Sequence, residues 1–239
     1  MIDQLWIVML VAAGAGLTQA LTGFGSALVS MALLPPLLGL MTAAPLVALM
    51  AGTIEIGLLI RYGPALRFAA VRWLGAAMIV GIPVGLLGLR AVPERLALAL
   101  LGAVLCGYSV YALFSPRLPE LRPRLWAPLL GFLAGALGGA YNTSGPPLVI
   151  YGHSQRWSSD EFKGNLQGLF LVIDVAVVLG HLAAGNYTPG VLSSYAWAVP
   201  GLLVGMILGL VLERRLDPAV FRRLVLIVLL VMGVRLLIG

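Results

Sequence analysis

The stretch Tyr141-Asn142-Thr143-Ser144-Gly145-Pro146-Pro147 lies inside a long apolar region and cannot continue as a regular helix. Two prolines remove two backbone donors, and the residue before a proline is pushed out of helical geometry. Gly145 loosens the chain further. The four polar side chains ahead of the prolines are expensive against lipid. Broken backbone at membrane depth persists only where it is buried in protein or lines a watery cavity. The stretch therefore reads as the lining of a site.

It has a counterpart. A shift of 119 residues superimposes it on Thr22-Gly23-Phe24-Gly25-Ser26-Ala27-Leu28, a second glycine-rich polar break in a second apolar region. The same shift matches Ala15-Gly16 to Ala134-Gly135 and Ile54-Glu55 to Ile173-Asp174. Glu55 and Asp174 are the carboxylates deep inside long apolar runs, so their coincidence carries most of the information. Interrupted helices at matching places in two halves are the sequence pointer to a transporter's binding site.

Hydrophobic residues make up 61% of the chain and charged residues 10%. Those proportions exclude a soluble domain and mark an integral membrane protein. Apolar runs of about 20 residues can each span the hydrocarbon core. A net charge of +6 raises nucleic acid as a partner. Arginine-rich loops between apolar runs point instead to cytoplasmic loops beside a lipid bilayer, with no nucleic acid; a small anionic substrate is expected from the helix breaks. The single cysteine, Cys106, forms no internal disulfide. No metal and no cofactor is expected. The N-terminus carries Asp3 and no Lys or Arg, so it lacks the basic start of a cleavable signal.

The reading in chain order is an all-α integral membrane protein, a polytopic helical bundle of two inverted repeats. Each repeat has a broken first segment, re-entrant or paired half-helices, followed by three transmembrane helices. The first repeat covers 1–114, a cytoplasmic linker 115–124, and the second repeat 125–239. The first segment, from about Leu5 to Leu40, is too long for one crossing and divides at Thr22 to Ser26. Helices follow from about Ala43 to Ile60, Trp73 to Leu89 and Leu96 to Phe114. The second broken segment runs from Leu125 to Tyr151, with a polar loop from Gly152 to Lys163. Helices from about Gly164 to Ala183, Val191 to Leu212, and one ending at Gly239 complete the chain. If each broken segment returns to its starting side, loops 61–72, 115–124, 152–163 and 213–223 share one face and hold 12 of the 15 Lys and Arg residues. The positive-inside rule then puts that face in the cytoplasm and both termini outside a cell inner membrane.

Each break starts a half-helix whose N-terminus presents free N–H groups and partial positive charge, a ready anion site. Gln19, Thr22, Gly23, Phe24, Gly25 and Ser26 form the first candidate wall, and Asn142, Thr143, Ser144 and Gly145 the second. The bland alternative is a pair of glycine-rich packing kinks. Glu55 and Asp174 are candidates for proton coupling, because a mid-membrane carboxylate is a functional hypothesis by default. A structural carboxylate, direct substrate contact and a cation site remain alternatives. Arg156 and Lys163 are candidates to attract an anion, against ordinary positive-inside charge. His181 and His153 read as interfacial histidines.

At these residues the chain resembles the TauE/SafE sulfite exporter family, also called the toluene-sulfonate uptake permeases. Gly23-Phe24-Gly25-Ser26 and Thr143-Ser144-Gly145-Pro146-Pro147 carry the resemblance, with the apolar run ending in Tyr151, Arg156-Trp157 and Phe162-Lys163. Ser26 and Ala27 follow Gly25 where the family more often has further glycine. The resemblance implies movement of a small sulfur-containing anion, sulfite or an organosulfonate such as sulfoacetate, across a prokaryotic cytoplasmic membrane, and a homodimer. Two other readings stand beside the carrier. One is a passive anion channel or uniporter. The other is an intramembrane serine protease with Ser144 as nucleophile and His181 as base.

Overall fold

A computed structural model describes residues 2–238 apart from 115–120, 122, 214, 216 and 217. Most of the expected linker, including Arg117 and Arg122, therefore lies outside the described residues, as do Arg214 and Gly239. The described residues fold into helices without a strand. In chain order they are α1 (Ile2–Thr22), α2 (Ser26–Leu33), α3 (Pro35–Leu38), α4 (Leu40–Tyr62), α5 (Phe68–Ala91), α6 (Glu94–Phe114), α7 (Pro123–Tyr141), α8 (Gly145–Ser154), α9 (Ser159–Ala183), α10 (Pro189–Leu212) and α11 (Pro218–Ile238). Six of them, among the described residues, are long and apolar enough to cross a bilayer. Their outward faces carry Leu10, Ile60, Phe68, Leu87 and Leu182, all well exposed. Apolar exposure on this scale in a helical bundle is a lipid-facing surface.

The breaks fall where the sequence puts them, and helix ends recur 119 residues apart: Thr22 and Tyr141, Ser26 and Gly145, Leu40 and Ser159. Most helices run a few residues beyond the expected ends. The largest differences are five residues, at α5, which begins at Phe68 and not at Trp73, and at α9, which begins at Ser159 and not at Gly164. The start of α9 bears on the site. That start is set by a capping box: the Ser158 hydroxyl accepts from Glu161 N–H, and the Glu161 carboxylate accepts from Ser158 N–H. Lys163 thus belongs to a helix and not to the loop before it. The second broken segment also continues past Tyr151, since α8 ends at Ser154.

α8 has 10 residues. At 1.5 Å per residue it covers about 15 Å, half the hydrocarbon core. It returns toward its origin: Gln155 Nε2 donates to the Leu121 carbonyl at 2.7 Å, beside the start of α7. One end of the bundle gathers Leu40 N–H on Glu94 Oε1 (2.7 Å) and the Tyr141 hydroxyl on the Ala97 carbonyl (2.9 Å). The other end gathers the basic segments. There Arg67 pairs with Glu161 at 2.7 Å, and Lys163 with Glu213 at 2.5 Å.

Two helix pairs form the frame. α1 packs along α10 and α5 along α7, while α4 meets α9 and α6 meets α11. Lipid offers apolar side chains no advantage in associating, so close backbone approach must supply the packing energy. A Cβ at Gly205 of α10 would collide with the Ala13 carbonyl of α1, and one at Gly85 of α5 with the Ala136 carbonyl of α7. The two breaks are held between these pairs, against α4 and α9.

Candidate functional site

The first break is built from a left-handed turn. Gly23 takes φ 84° and Gly25 φ 103°, values that an L side chain rarely adopts. Gly23 N–H donates to the Gln19 carbonyl at 2.8 Å and closes α1. Side chains then tie the turn down. Gln19 Oε1 accepts from Ser26 N–H (3.0 Å) and from the Ser26 hydroxyl. Gln19 Nε2 donates to Gln167 Oε1 (3.1 Å), and Gln167 Nε2 donates to the Gly23 carbonyl (2.8 Å). The Thr22 hydroxyl lies within reach of the Thr18 and Phe24 carbonyls, at 2.8 and 2.6 Å. Every side chain of this network except Thr22 is fully buried.

The second break repeats the turn with a different residue. Asn142 occupies the position equivalent to Gly23 and takes φ 57°. Asparagine tolerates this region better than most residues. Asn142 N–H donates to the Gly138 carbonyl at 2.8 Å, and Thr143 N–H to the Leu137 carbonyl at 3.3 Å. Here the turn's own polar side chains are not tied down. Among the described residues, both amide atoms of Asn142 and the Thr143 hydroxyl are buried without a hydrogen-bond partner. The prolines at 146 and 147 have no N–H, so the first turn of α8 presents few backbone donors beyond Gly145. Hydrogen-bond donation into the space at this wall falls mainly to the side chains of Asn142, Thr143 and Ser144.

Between the breaks is a cavity of about 20 Å³, bordered by Gln19, Gly25, Ser26, Asn142, Thr143, Ser144 and Gly145. Glu55 from α4 and Asp174 from α9 also border it, with Ala27, Leu28 and Phe170. The two carboxylates are neighbours. A Cβ at Gly52, one turn before Glu55, would lie 3.9 Å from the Asp174 Cβ. Glu55 Oε2 and Asp174 Oδ2 are also buried without a partner among the described residues. Unsatisfied buried polar atoms are uncommon and call for an explanation. Here they converge on one space. A cavity of this size holds about one water, and the polar side chains that line it are all buried, so the site is occluded.

A larger vestibule of about 320 Å³ opens at the basic end. It is bordered by Thr22, Phe24, His153, Trp157, Phe162, Lys163, Glu213 and Arg222. Lys163 is 4% exposed. Its Nζ donates to Glu213 Oε1 (2.5 Å), the Ala20 carbonyl (3.1 Å) and the Tyr62 hydroxyl (3.4 Å). Glu213 Oε2 also accepts from the Tyr62 hydroxyl at 2.7 Å and lies 3.8 Å from Arg61. Burial opposes the Glu213 charge, but hydrogen bonds from Lys163 and Tyr62 and the charges of Lys163 and Arg61 outweigh it and hold the carboxyl below its usual range. Phe24 stands between the two spaces. Its ring packs edge-on to Tyr108 and Phe162 and lies 3.7 Å from where a Cβ of Gly145 would be.

Gln19, Gly25, Ser26, Asn142, Thr143, Ser144, Gly145, Glu55 and Asp174 thus share the central cavity. Thr22, Phe24 and Lys163 fall on the vestibule. Gly23 backs onto Lys163, whose Cγ lies 2.9 Å from where a Gly23 Cβ would be. Arg156 is exposed and borders neither space. His181 is buried at the end of α9, with Nδ1 2.8 Å from Asn186 Nδ2, and borders neither space. Gln167, which the sequence offers either as a cavity residue or as a hydrogen-bonded link between helices, is such a link; Glu213, Arg222 and Phe162 were not singled out by the sequence as site residues. Lys163, Gln167, Phe170 and Asp174 recur at helical spacing, a stripe on one face of α9 running from vestibule to cavity.

Interrupted helices around an occluded polar cavity, within a multi-pass apolar bundle, define a membrane transport protein. The chain belongs to the TauE/SafE family: the sequence model of the family described as Sulfite exporter TauE/SafE matches residues 8–236. No curated protein and no solved structure matched the chain. Membership points to a membrane transporter of anions.

Proposed function

We propose that this chain is a proton-coupled secondary carrier of a small sulfur-containing oxyanion, sulfite or an organosulfonate such as sulfoacetate. One observation carries the reading. Among the described residues, unpartnered donors on Asn142 and Thr143 and unpartnered carboxylate oxygens on Glu55 and Asp174 face one occluded cavity. The donors receive the anion. The carboxylates take up a proton, which keeps an anion and two acids compatible in one small space. A cavity with room for about one water must enlarge to admit an anion of several heavy atoms, which favours alternating access over an open pore.

Two inverted repeats, 1–114 and 125–239, would supply the moving parts, with the substrate between their breaks. The recurrence of helix ends at 119 residues supports this, as does the pairing of α1 with α10 and of α7 with α5. The basic end lies in the cytoplasm and both termini outside.

The test is sulfite and sulfoacetate flux in proteoliposomes under an imposed pH gradient, for wild type, Glu55→Gln and Asp174→Asn. Flux should follow the gradient in wild type and lose that dependence in at least one variant. Flux that ignores the gradient in all three proteins refutes proton coupling and leaves a uniporter. Absence of flux for both anions refutes the substrate class.

A further inference from the structure

We propose that the vestibule is a second oxyanion site, at which an incoming sulfite or sulfonate takes the place of the Glu213 carboxylate on Lys163. The proposal rests on the carrier reading and deepens it by naming where the anion binds before it reaches the central cavity.

The vestibule lining holds two cations, Lys163 and Arg222, against one carboxylate, Glu213. Arg222 Nε is buried and has no hydrogen-bond partner among the described residues. Lys163 is fully occupied, but by a group that resembles the cargo: the Glu213 carboxylate is an oxyanion at the end of a short tether. Exchanging it for a free oxyanion trades one charge-assisted hydrogen bond for another. Both bonds join an ammonium to an oxyanion and so belong to the strong, charge-assisted class. The displaced carboxylate is not orphaned, because its second oxygen keeps the Tyr62 hydroxyl at 2.7 Å and Arg61 nearby at 3.8 Å. The space of about 320 Å³ accommodates the anion and part of its hydration shell.

The exchange also reaches the first break. Lys163 Nζ holds the Ala20 carbonyl at 3.1 Å, and its stem packs against Gly23. An anion that draws the ammonium toward Arg222 pulls it from the last turn of α1. Arrival of substrate and release of the first break are thereby one event.

The experiment is a titration of Trp157 fluorescence with sodium sulfite and with sulfoacetate, against sodium chloride at equal ionic strength. Trp157 borders the vestibule and packs on Tyr151 at 5.8 Å, and a Trp157→Phe variant identifies its signal. The protein is held in nanodiscs with and without anionic lipid. Arg222→Gln should weaken the apparent affinity about tenfold, the loss of one charged hydrogen bond. Glu213→Gln frees Lys163 of its competitor and should tighten it about tenfold. Both variants are screened for wild-type elution on size exclusion. Equal affinity in all three proteins, or a response no different from chloride, overturns the proposal. So does a response abolished by anionic lipid, which would assign the site to a lipid headgroup. Proteoliposome flux without any Trp157 titration overturns this site and spares the carrier. Titration without flux supports the site and refutes the carrier.

Discussion

Gln167 is the most informative side chain to remove. It is fully buried and makes two hydrogen bonds, accepting from Gln19 at 3.1 Å and donating to the Gly23 carbonyl at 2.8 Å. Gln167→Leu preserves approximate volume and leaves both partners unpaired. Hydrogen bonds between membrane helices contribute about 0.6 kcal/mol on average and up to about 1.7. Orphaning a buried partner raises the loss to about 1–3 kcal/mol. For two such bonds, about 2 kcal/mol is a conservative figure. The bonds join the first break to α9, so their loss disfavours the occluded arrangement relative to any in which the break has moved away. A difference of about 2 kcal/mol is roughly a thirtyfold change in that equilibrium. Thr143→Cys supplies the readout, because the Thr143 hydroxyl borders the cavity and has no partner to lose among the described residues. In a Cys106→Ala background, the rate at which a membrane-impermeant maleimide labels the thiol introduced at position 143 should rise about thirtyfold when Gln167→Leu is added. An unchanged or slower rate, in protein that still elutes as folded, refutes the reasoning.

Other outcomes follow from the same geometry. Thr143→Leu should abolish sulfite flux with elution unchanged, and normal flux would remove the second break from the site. Phe24→Ala takes away the ring between vestibule and cavity. It should raise anion leak without a pH gradient and destabilise the protein by about 3–5 kcal/mol, seen as a lower melting temperature. Gly205→Leu should eliminate folded protein on size exclusion by forcing α1 from α10, whereas Gly107→Ala, with open space around it, should be neutral or slightly stabilising. The Glu213 carboxyl is held below its usual range when folded. Its contribution is therefore present above the unfolded value of about 4.3 and lost as pH falls through the lower folded value. Melting temperature in detergent should drop over that acidic window, and less steeply in Glu213→Gln.

Both helix breaks were legible in the sequence because proline and paired glycines cannot be hidden inside an apolar run. The equivalent places of Glu55 and Asp174 in the two halves were legible through their common register, whereas their meeting at one cavity was not. The position of Lys163 was missed, although Ser158 and Glu161 spell a capping box that moves the helix start to Ser159. From there the stripe at 163, 167, 170 and 174 follows by helical spacing. The role of Glu213 was not legible: nothing local distinguishes it from an ordinary loop acid, and its partner is 50 residues away in the chain. The link from Gln19 to Gln167 spans 148 residues. Which of several buried amides pair is decided by packing that no local pattern encodes.

The two breaks share a register and a turn but not their hydrogen bonding. The first is sewn shut by Gln19 and Gln167, and the second leaves the Asn142 and Thr143 side chains without partners among the described residues. A doubled architecture has thus been put to two uses, one copy serving as latch and the other as receptor. The two copies should age differently under mutation. Substitutions at the latch will surface first as loose or leaky protein, and those at the receptor as sound protein with altered taste for its cargo.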